Sequence, residues 1–134
     1  MGEPYVETFK VRWAECDPQQ VVFNGSYFIY FDTAQSGFWS KVIGSWKERK
    51  GEMDSVLVET HIRFVAPARF EDILHVSVGV VKLGTTSFEL KLEATRDGQL
   101  LAEASSWYVL VDLTTFAKLE LPQATREAMA AFLI

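Results

Sequence analysis

Cysteine is almost missing from this chain: Cys16 is the one thiol in 134 residues. That excludes an intrachain disulfide and a cysteine-rich metal site, and it gives no sign of an oxidising compartment. Histidine is nearly as scarce. His61 and His75 are the two, and no Cys/Asp cluster stands beside them at ligand spacing, so no metal is expected. Basic runs are absent apart from Lys47-Glu48-Arg49-Lys50, and 13 basic residues against 18 acidic ones leave a net charge of -5. A nucleic-acid partner is therefore not expected. No apolar run approaches the roughly 18 residues that a membrane-spanning helix needs. The opening Met1-Gly2-Glu3-Pro4 has neither the basic region nor the apolar core of a secretory leader. The expectation is a cytoplasmic protein without a membrane partner.

Aromatic residues are plentiful, with ten Phe and four Trp. A dense core takes most of them, and the rest are available for an interface or a pocket. The length suits one domain over residues 1–134, and no linker, repeat or low-complexity stretch interrupts it.

Alternation of apolar and polar residues predicts a first strand from Tyr5 to Trp13. Pro18 cannot donate to a ladder, so Glu15-Cys16-Asp17-Pro18 reads as a loop or turn. From Ser26 to Ile43, Tyr27, Phe31, Ala34, Phe38 and Val42 recur at helical spacing, and Phe28, Trp39 and Ile43 widen the stripe. A helix so apolar is expected to be buried. Asn24 or Ser26 is expected to cap its start, and Gly44 to end it.

Four strands follow. Val56, Val58, Thr60, Ile62 and Phe64 are expected on one face of the first. Leu74, Val76, Val78 and Val80 define the second, and Phe88, Leu90, Leu92 and Ala94 the third. Asp97-Gly98 is a hairpin turn into the last, which runs from about Leu100 to Val111. Pro122 opens a short C-terminal helix with Ala128, Met129 and Phe132 on its packing side. The order predicts an α+β domain, an antiparallel sheet wrapped on one long central helix.

Glu15-Cys16-Asp17-Pro18-Gln19-Gln20-Val21-Val22-Phe23-Asn24, then Tyr27-Phe28 and Phe31-Asp32, resembles the segment that carries the catalytic carboxylate in hotdog-fold acyl-CoA thioesterases of the 4-hydroxybenzoyl-CoA thioesterase-like family. The resemblance covers nearly the whole chain. It departs at Gln20, where many members have Gly, and at Asn24, where a large subgroup has His.

The resemblance implies hydrolysis of an acyl- or aroyl-CoA thioester to free acid and CoA. A thioester has a good leaving group, so hydrolysis needs a base or nucleophile at the carbonyl carbon and donors for the developing oxyanion. Asp17, a few residues before a long helix, lies where the dipole and free N–H groups favour a carboxylate. It would act as nucleophile or as general base, and its alternative is a plain turn residue before Pro18. The backbone at Asn24 and Gly25 is the candidate oxyanion donor, with helix capping as the competing role for Asn24. Tyr27, Asp32, Trp46 and Thr60 are the implied acyl pocket. Asp32 is otherwise a polar position on the exposed stripe or a fallback catalytic carboxylate, and Thr60 a buried hydroxyl bonded to backbone. Arg69, Lys82, Thr85, Thr86 and Ser87 are candidates for the CoA moiety, each with an ordinary solvated-surface alternative. No cofactor is expected, since CoA arrives with the substrate. A homodimer or homotetramer is implied, with a physical motive in the sheet edges that pairing would cover. The competing functions are a non-catalytic acyl-CoA-binding module, for which an ionised Asp17 has no use, and a hotdog hydratase or dehydratase, which would need a His at the helix start.

Overall fold

The structure is a computed structural model that describes residues 2–44 and 53–134. Strand β1 (Tyr5–Lys10) leads through a 3-10 turn (Trp13–Glu15) and a loop into helix α1 (Ser26–Ile43). Strands β2 (Met53–Phe64), β3 (Ile73–Leu83), β4 (Ser87–Arg96) and β5 (Gln99–Asp112) follow, and helix α2 (Gln123–Ala130) closes the chain. The five strands form one sheet in the order β1-β3-β4-β5-β2, and every neighbouring pair is antiparallel. Helix α1 packs against β1, β3 and α2. This is the hotdog arrangement.

The alternating positions of β3 and β4 make the core. Leu74, Val76, Val78, Val80, Leu90, Leu92 and Ala94 are fully buried, and Ala34 and Phe38 of α1 meet them from the other side. Each large side chain so placed contributes about 1.5–3 kcal/mol. Asp97 and Gly98, both at positive φ (50° and 79°), turn β4 into β5, the backbone that a two-residue hairpin of this twist requires. In the C-terminal segment Met129 is buried and Phe132 meets Phe38 at 5.2 Å between ring centroids. Thr125, which the sequence pattern did not single out, is buried with them.

Several expectations are corrected. β1 ends at Lys10, because Glu15 draws Arg12 into the cap of the 3-10 turn, and Trp13 is left exposed. The cap of α1 is Gly25, with no side-chain cap bond. Asn24 is exposed, and the Ser26 hydroxyl donates instead to the Glu15 carbonyl at 3.0 Å. Helix α1 is buried on one face only: Tyr27, Tyr30, Phe31, Ala34 and Phe38 face in, while Phe28 and Ile29 lie exposed on its flank. In β2 the register shifts between Leu57 and Glu59. This bulge breaks the alternation, so Leu57, though itself exposed, lines the same groove as Thr60 and Ile62, and Val58 does not.

Candidate active site

The segment between β1 and α1 is fastened by one buried carboxylate. Glu15 is only 8% exposed. It accepts hydrogen bonds from the Arg12 backbone N–H at 2.7 Å, from the Arg12 guanidinium at 2.9 and 3.1 Å, and from the Tyr30 hydroxyl at 2.8 Å. Burial opposes its ionisation, but these donors outweigh burial and hold the carboxyl below its ordinary range. Burial, and then the Glu15 charge, push the Tyr30 hydroxyl strongly up. The Glu15 carbonyl accepts the Phe23 N–H at 2.9 Å as well as Ser26. Glu15 thus ties the loop to the helix at two levels. A charged residue in an apparent loop gave no sign of this role beyond its placement two residues before Asp17.

Asp17 begins a tight turn. Its carbonyl accepts the Gln20 N–H at 2.8 Å, its N–H donates to the Val21 carbonyl at 2.9 Å, and its Oδ1 accepts the Gln19 N–H at 2.8 Å. The side chain is half-exposed. Gln20 closes the turn at φ 66°, the left-handed conformation that glycine adopts without strain. Val21 pairs with Arg69, and the Val22 N–H donates to the Ala68 carbonyl at 2.8 Å. The 67–72 segment that receives them is itself braced. Asp72 takes the Arg96 guanidinium at 2.6 Å and the Arg69 backbone N–H at 2.8 Å. Burial opposes ionisation of Asp72, but those donors prevail and lower its pKa.

Helix α1 starts beside this turn. The N–H groups of Ser26, Tyr27 and Phe28 are taken by the carbonyls of Phe23, Asn24 and Gly25. Among the described residues the N–H groups of Asn24 and Gly25 donate to nothing. The Phe23 ring lies against Gly25, where a Cβ would sit 2.7 Å from it. Val21, Val22, Asn24, Tyr27, Phe64 and Pro67 line a cleft of about 270 Å³ at this point. Tyr27 forms the inner wall of that cleft, buried against Tyr30, Phe31 and Phe64.

Farther along α1 a groove of about 360 Å³ runs between the helix and strands β2 and β5. Phe28, Ile29, Leu57 and Ile62 give it an apolar lining, with Asp32 and Thr60 among its polar groups. Asp32 is exposed at its rim, and the Thr60 hydroxyl is 2.8 Å from that of Ser106, not bonded to backbone. Gln35, Ser106 and Tyr108 complete the groove. Sequence periodicity did not single them out, because they meet only when β5 folds against α1. Trp46 lies outside the described residues.

The CoA candidates fall into two groups. Arg69 is exposed in the segment before β3. Lys82, Thr85, Thr86 and Ser87 lie at the far end of β3, across an 11-residue strand that spans roughly 35 Å. There the carbonyls of Gly84, Thr85 and Thr86 accept bonds from Arg126, Leu121 and Leu110, so the hairpin is fixed from below while the Lys82 and Thr85 side chains stay exposed. One chain does not bring the two groups together. Among the described residues no group of three or more His, Cys, Asp or Glu is placed to hold a metal ion, and no helix is long and apolar enough to cross a membrane.

A sequence model described as the thioesterase-like superfamily matches residues 11–129, and the chain belongs to that superfamily. By class it is a hotdog-fold thioester hydrolase. A relative from Aquifex aeolicus (strain VF5), whose name provisionally calls it an esterase, is 24% identical over 109 residues, which is 81% of this chain and 85% of the relative. Among solved structures, a 1,4-dihydroxy-2-naphthoyl-CoA thioesterase from Synechocystis is similar at a TM-score of 0.84 and 25% identity, covering 95% of this chain and 96% of the other. A Staphylococcus aureus protein solved in complex with CoA shares the fold at a TM-score of 0.89 and 17% identity, over 98% of this chain and 85% of that one.

Proposed function

We propose that this enzyme hydrolyses an acyl- or aroyl-CoA thioester to the free acid and CoA, with Asp17 as its catalytic carboxylate. The observation that carries the reading is the pair of unengaged Asn24 and Gly25 N–H groups at the start of α1, beside a cleft lined by Asn24 and by Val21, the hydrogen-bonding neighbour of Asp17. Donors at a helix start suit an oxygen that gains negative charge. In the nucleophilic route Asp17 adds to the thioester carbon, the thiolate leaves, and water cleaves the resulting anhydride. In the general-base route Asp17 takes a proton from water, and the hydroxide adds to the same carbon. Either way one water is consumed, and the acid and the CoA thiol are released.

The acyl group would lie in the groove between α1 and β2, in the company of Asp32 and Thr60. CoA enters as part of the substrate, and no cofactor is required. The likeness to a protein solved with CoA supports that substrate class.

The working unit in this reading is a homodimer, or a tetramer of such pairs, in the cytoplasm. β2 is a sheet edge of 12 residues, with Leu57, Val58 and Phe64 exposed on it and Phe28 and Ile29 exposed on the flank of α1 across the groove, apolar surface that a second copy would cover. Two-fold pairing of β2 strands reverses their direction. It would set the Lys82–Ser87 hairpin of one protomer towards the Asp17 end of the other, uniting the two CoA groups. A binding module would use the same cleft without chemistry. A hydratase would want an imidazole at the helix start, where Asn24 stands.

The test is release of free thiol from benzoyl-, hydroxybenzoyl-, phenylacetyl-, short-chain and long-chain acyl-CoAs. Turnover of at least one, abolished or nearly so in Asp17→Asn, is the expected result. Saturable binding of the panel with no thiol released would establish the binding module instead.

A further inference from the structure

We infer that Gln35 and Tyr108 form the end wall of the acyl groove and set the longest acyl chain that the enzyme accepts. This rests on the groove between α1 and β2 being the acyl site. Two grooves adjoin in this region, of about 360 and 370 Å³, and the residues common to both are Asp32, Gln35 and Tyr108. The first is lined by Phe28, Ile29, Leu57 and Ile62. The second is lined mainly by Ser36, Ser40, Asp54 and Ser55, with Trp39 as its one aromatic wall besides Tyr108. The boundary is a hydrogen bond: the Gln35 carboxamide, on the helix, donates to the Tyr108 hydroxyl, on β5.

The Tyr108 side of this bond is fixed by packing. The Tyr108 ring is buried and stacks on Phe88, with centroids 5.3 Å apart and planes 11° from parallel. Burial pushes its hydroxyl pKa up, against the opposing effect of its bonds with Gln35 and Ser106. The polar wall continues into β2 through Ser106 and Thr60. Gln35 lies nine residues beyond Ser26, about 13 Å along the axis at a rise of about 1.5 Å per residue. An apolar chain entering at the helix start therefore loses apolar surface to cover when it reaches this bond. To go further it must displace the bond and then lie among the hydroxyls of Ser36, Ser40 and Ser55 and the carboxylates of Asp32 and Asp54, with Trp39 as the apolar cover left to it, which is unfavourable for methylene groups.

The test compares kcat/KM for saturated acyl-CoAs from acetyl to palmitoyl in the wild type, in Gln35→Ala and in Tyr108→Phe, which keeps the ring but loses the hydroxyl. Gln35→Ala removes the carboxamide from a helix position that alanine suits. It should raise the ratio of kcat/KM for chains two to four carbons beyond the wild-type optimum to that for the optimum itself by about 10-fold or more, the scale at which apolar pockets discriminate single methylenes. Tyr108→Phe should move the same ratio in the same direction by less. An unchanged ratio in Gln35→Ala, with all chain lengths scaled together, overturns the wall. Binding of non-hydrolysable thioether analogues of the same lengths is measured in parallel. If no thioester is turned over, the catalytic reading fails, but a gain in affinity for the longer analogues in Gln35→Ala would still establish the wall, and no gain would overturn it.

Discussion

The Tyr30 hydroxyl donates to the buried Glu15 carboxylate at 2.8 Å, joining the second turn of α1 to the residue two positions before Asp17. Because the acceptor is charged, loss of this bond is expected to cost about 1.5–3 kcal/mol. Tyr30→Phe, which keeps the ring in its contacts with Phe9 and Tyr27, should lower the urea midpoint accordingly without changing the slope. A midpoint equal to the wild type would show that the bond adds nothing to stability.

The same carboxylate gives stability a pH dependence with a defined sign. The folded-state pKa of Glu15 lies below its ordinary 4.5. The unfolded chain therefore takes up the proton first as pH falls. The contribution of Glu15 is present above about pH 4.5 and is lost progressively below it, as pH drops through the folded pKa. Glu15→Gln removes the charge at every pH. Its stability deficit against the wild type, followed by urea unfolding, should be full near neutrality and should shrink as pH falls below about 4.5. A deficit that stays constant over that range would show that Glu15 does not titrate in this way.

For Asp17 the turn and the chemistry are separable, because Oδ1 is the turn's acceptor and an amide keeps that oxygen. Asp17→Asn should leave the unfolding midpoint close to wild type while thiol release falls by about 10²-fold or more. Asp17→Ala should lose activity equally and also lose stability, since the Gln19 N–H is left without its partner. Equal activity in Asp17→Asn and the wild type would leave Asp17 as a turn residue only.

Much of this architecture was legible because the signals were local. The buried faces of β3 and β4 have period two, α1 has a helical repeat bounded by Ser26 and Gly44, and Asp97-Gly98 has the chemistry of a two-residue hairpin. What was not legible depended on partners distant in sequence. The bulge after Leu57 reflects how β2 meets Tyr108 and Trp107 on β5, and alternation within β2 alone put Val58 on the wrong side. Gln35, Ser106 and Tyr108 come from elements some 70 residues apart and converge only in the folded chain. Phe28 was expected inside, yet it lies exposed, because an apolar stripe says nothing of whether one chain or two will cover it. Glu15 was read as part of a loop because burial of a carboxylate is decided by its donors, and one of them is Tyr30, 15 residues on.

The ion pair between Arg96 and Asp72 supports the other side of the Asp17 loop. The Arg96 guanidinium also donates to the Pro67 carbonyl at 3.2 Å, so its loss would loosen the segment whose Ala68 carbonyl holds Val22. Both side chains are about a quarter exposed, and such a pair is screened less than one in open water. Arg96→Met should cost about 1.5 kcal/mol, and the deficit in urea unfolding should persist when salt is raised. A deficit that vanishes in high salt would place the pair among ordinary surface contacts.

The backbone at Gln20 offers a change in the opposite direction. Its φ of 66° is a conformation that costs a side-chain-bearing residue on the order of 1 kcal/mol relative to glycine. The Gln20 N–H is engaged with the Asp17 carbonyl at 2.8 Å, and its side chain is exposed and makes no hydrogen bond among the described residues. Replacement therefore removes strain without removing a contact that the turn uses. Gly also widens the unfolded ensemble, which offsets part of the gain. Gln20→Gly should raise stability by about 0.5–1 kcal/mol, read as a higher urea midpoint. Because the turn is unchanged in shape, thiol release should stay within about twofold of the wild type, a difference of roughly 0.4 kcal/mol in transition-state stabilisation. A loss of stability would mean that Gln20 does not sit in the left-handed conformation in solution, and the placement of Asp17 opposite Val21 would then need revision.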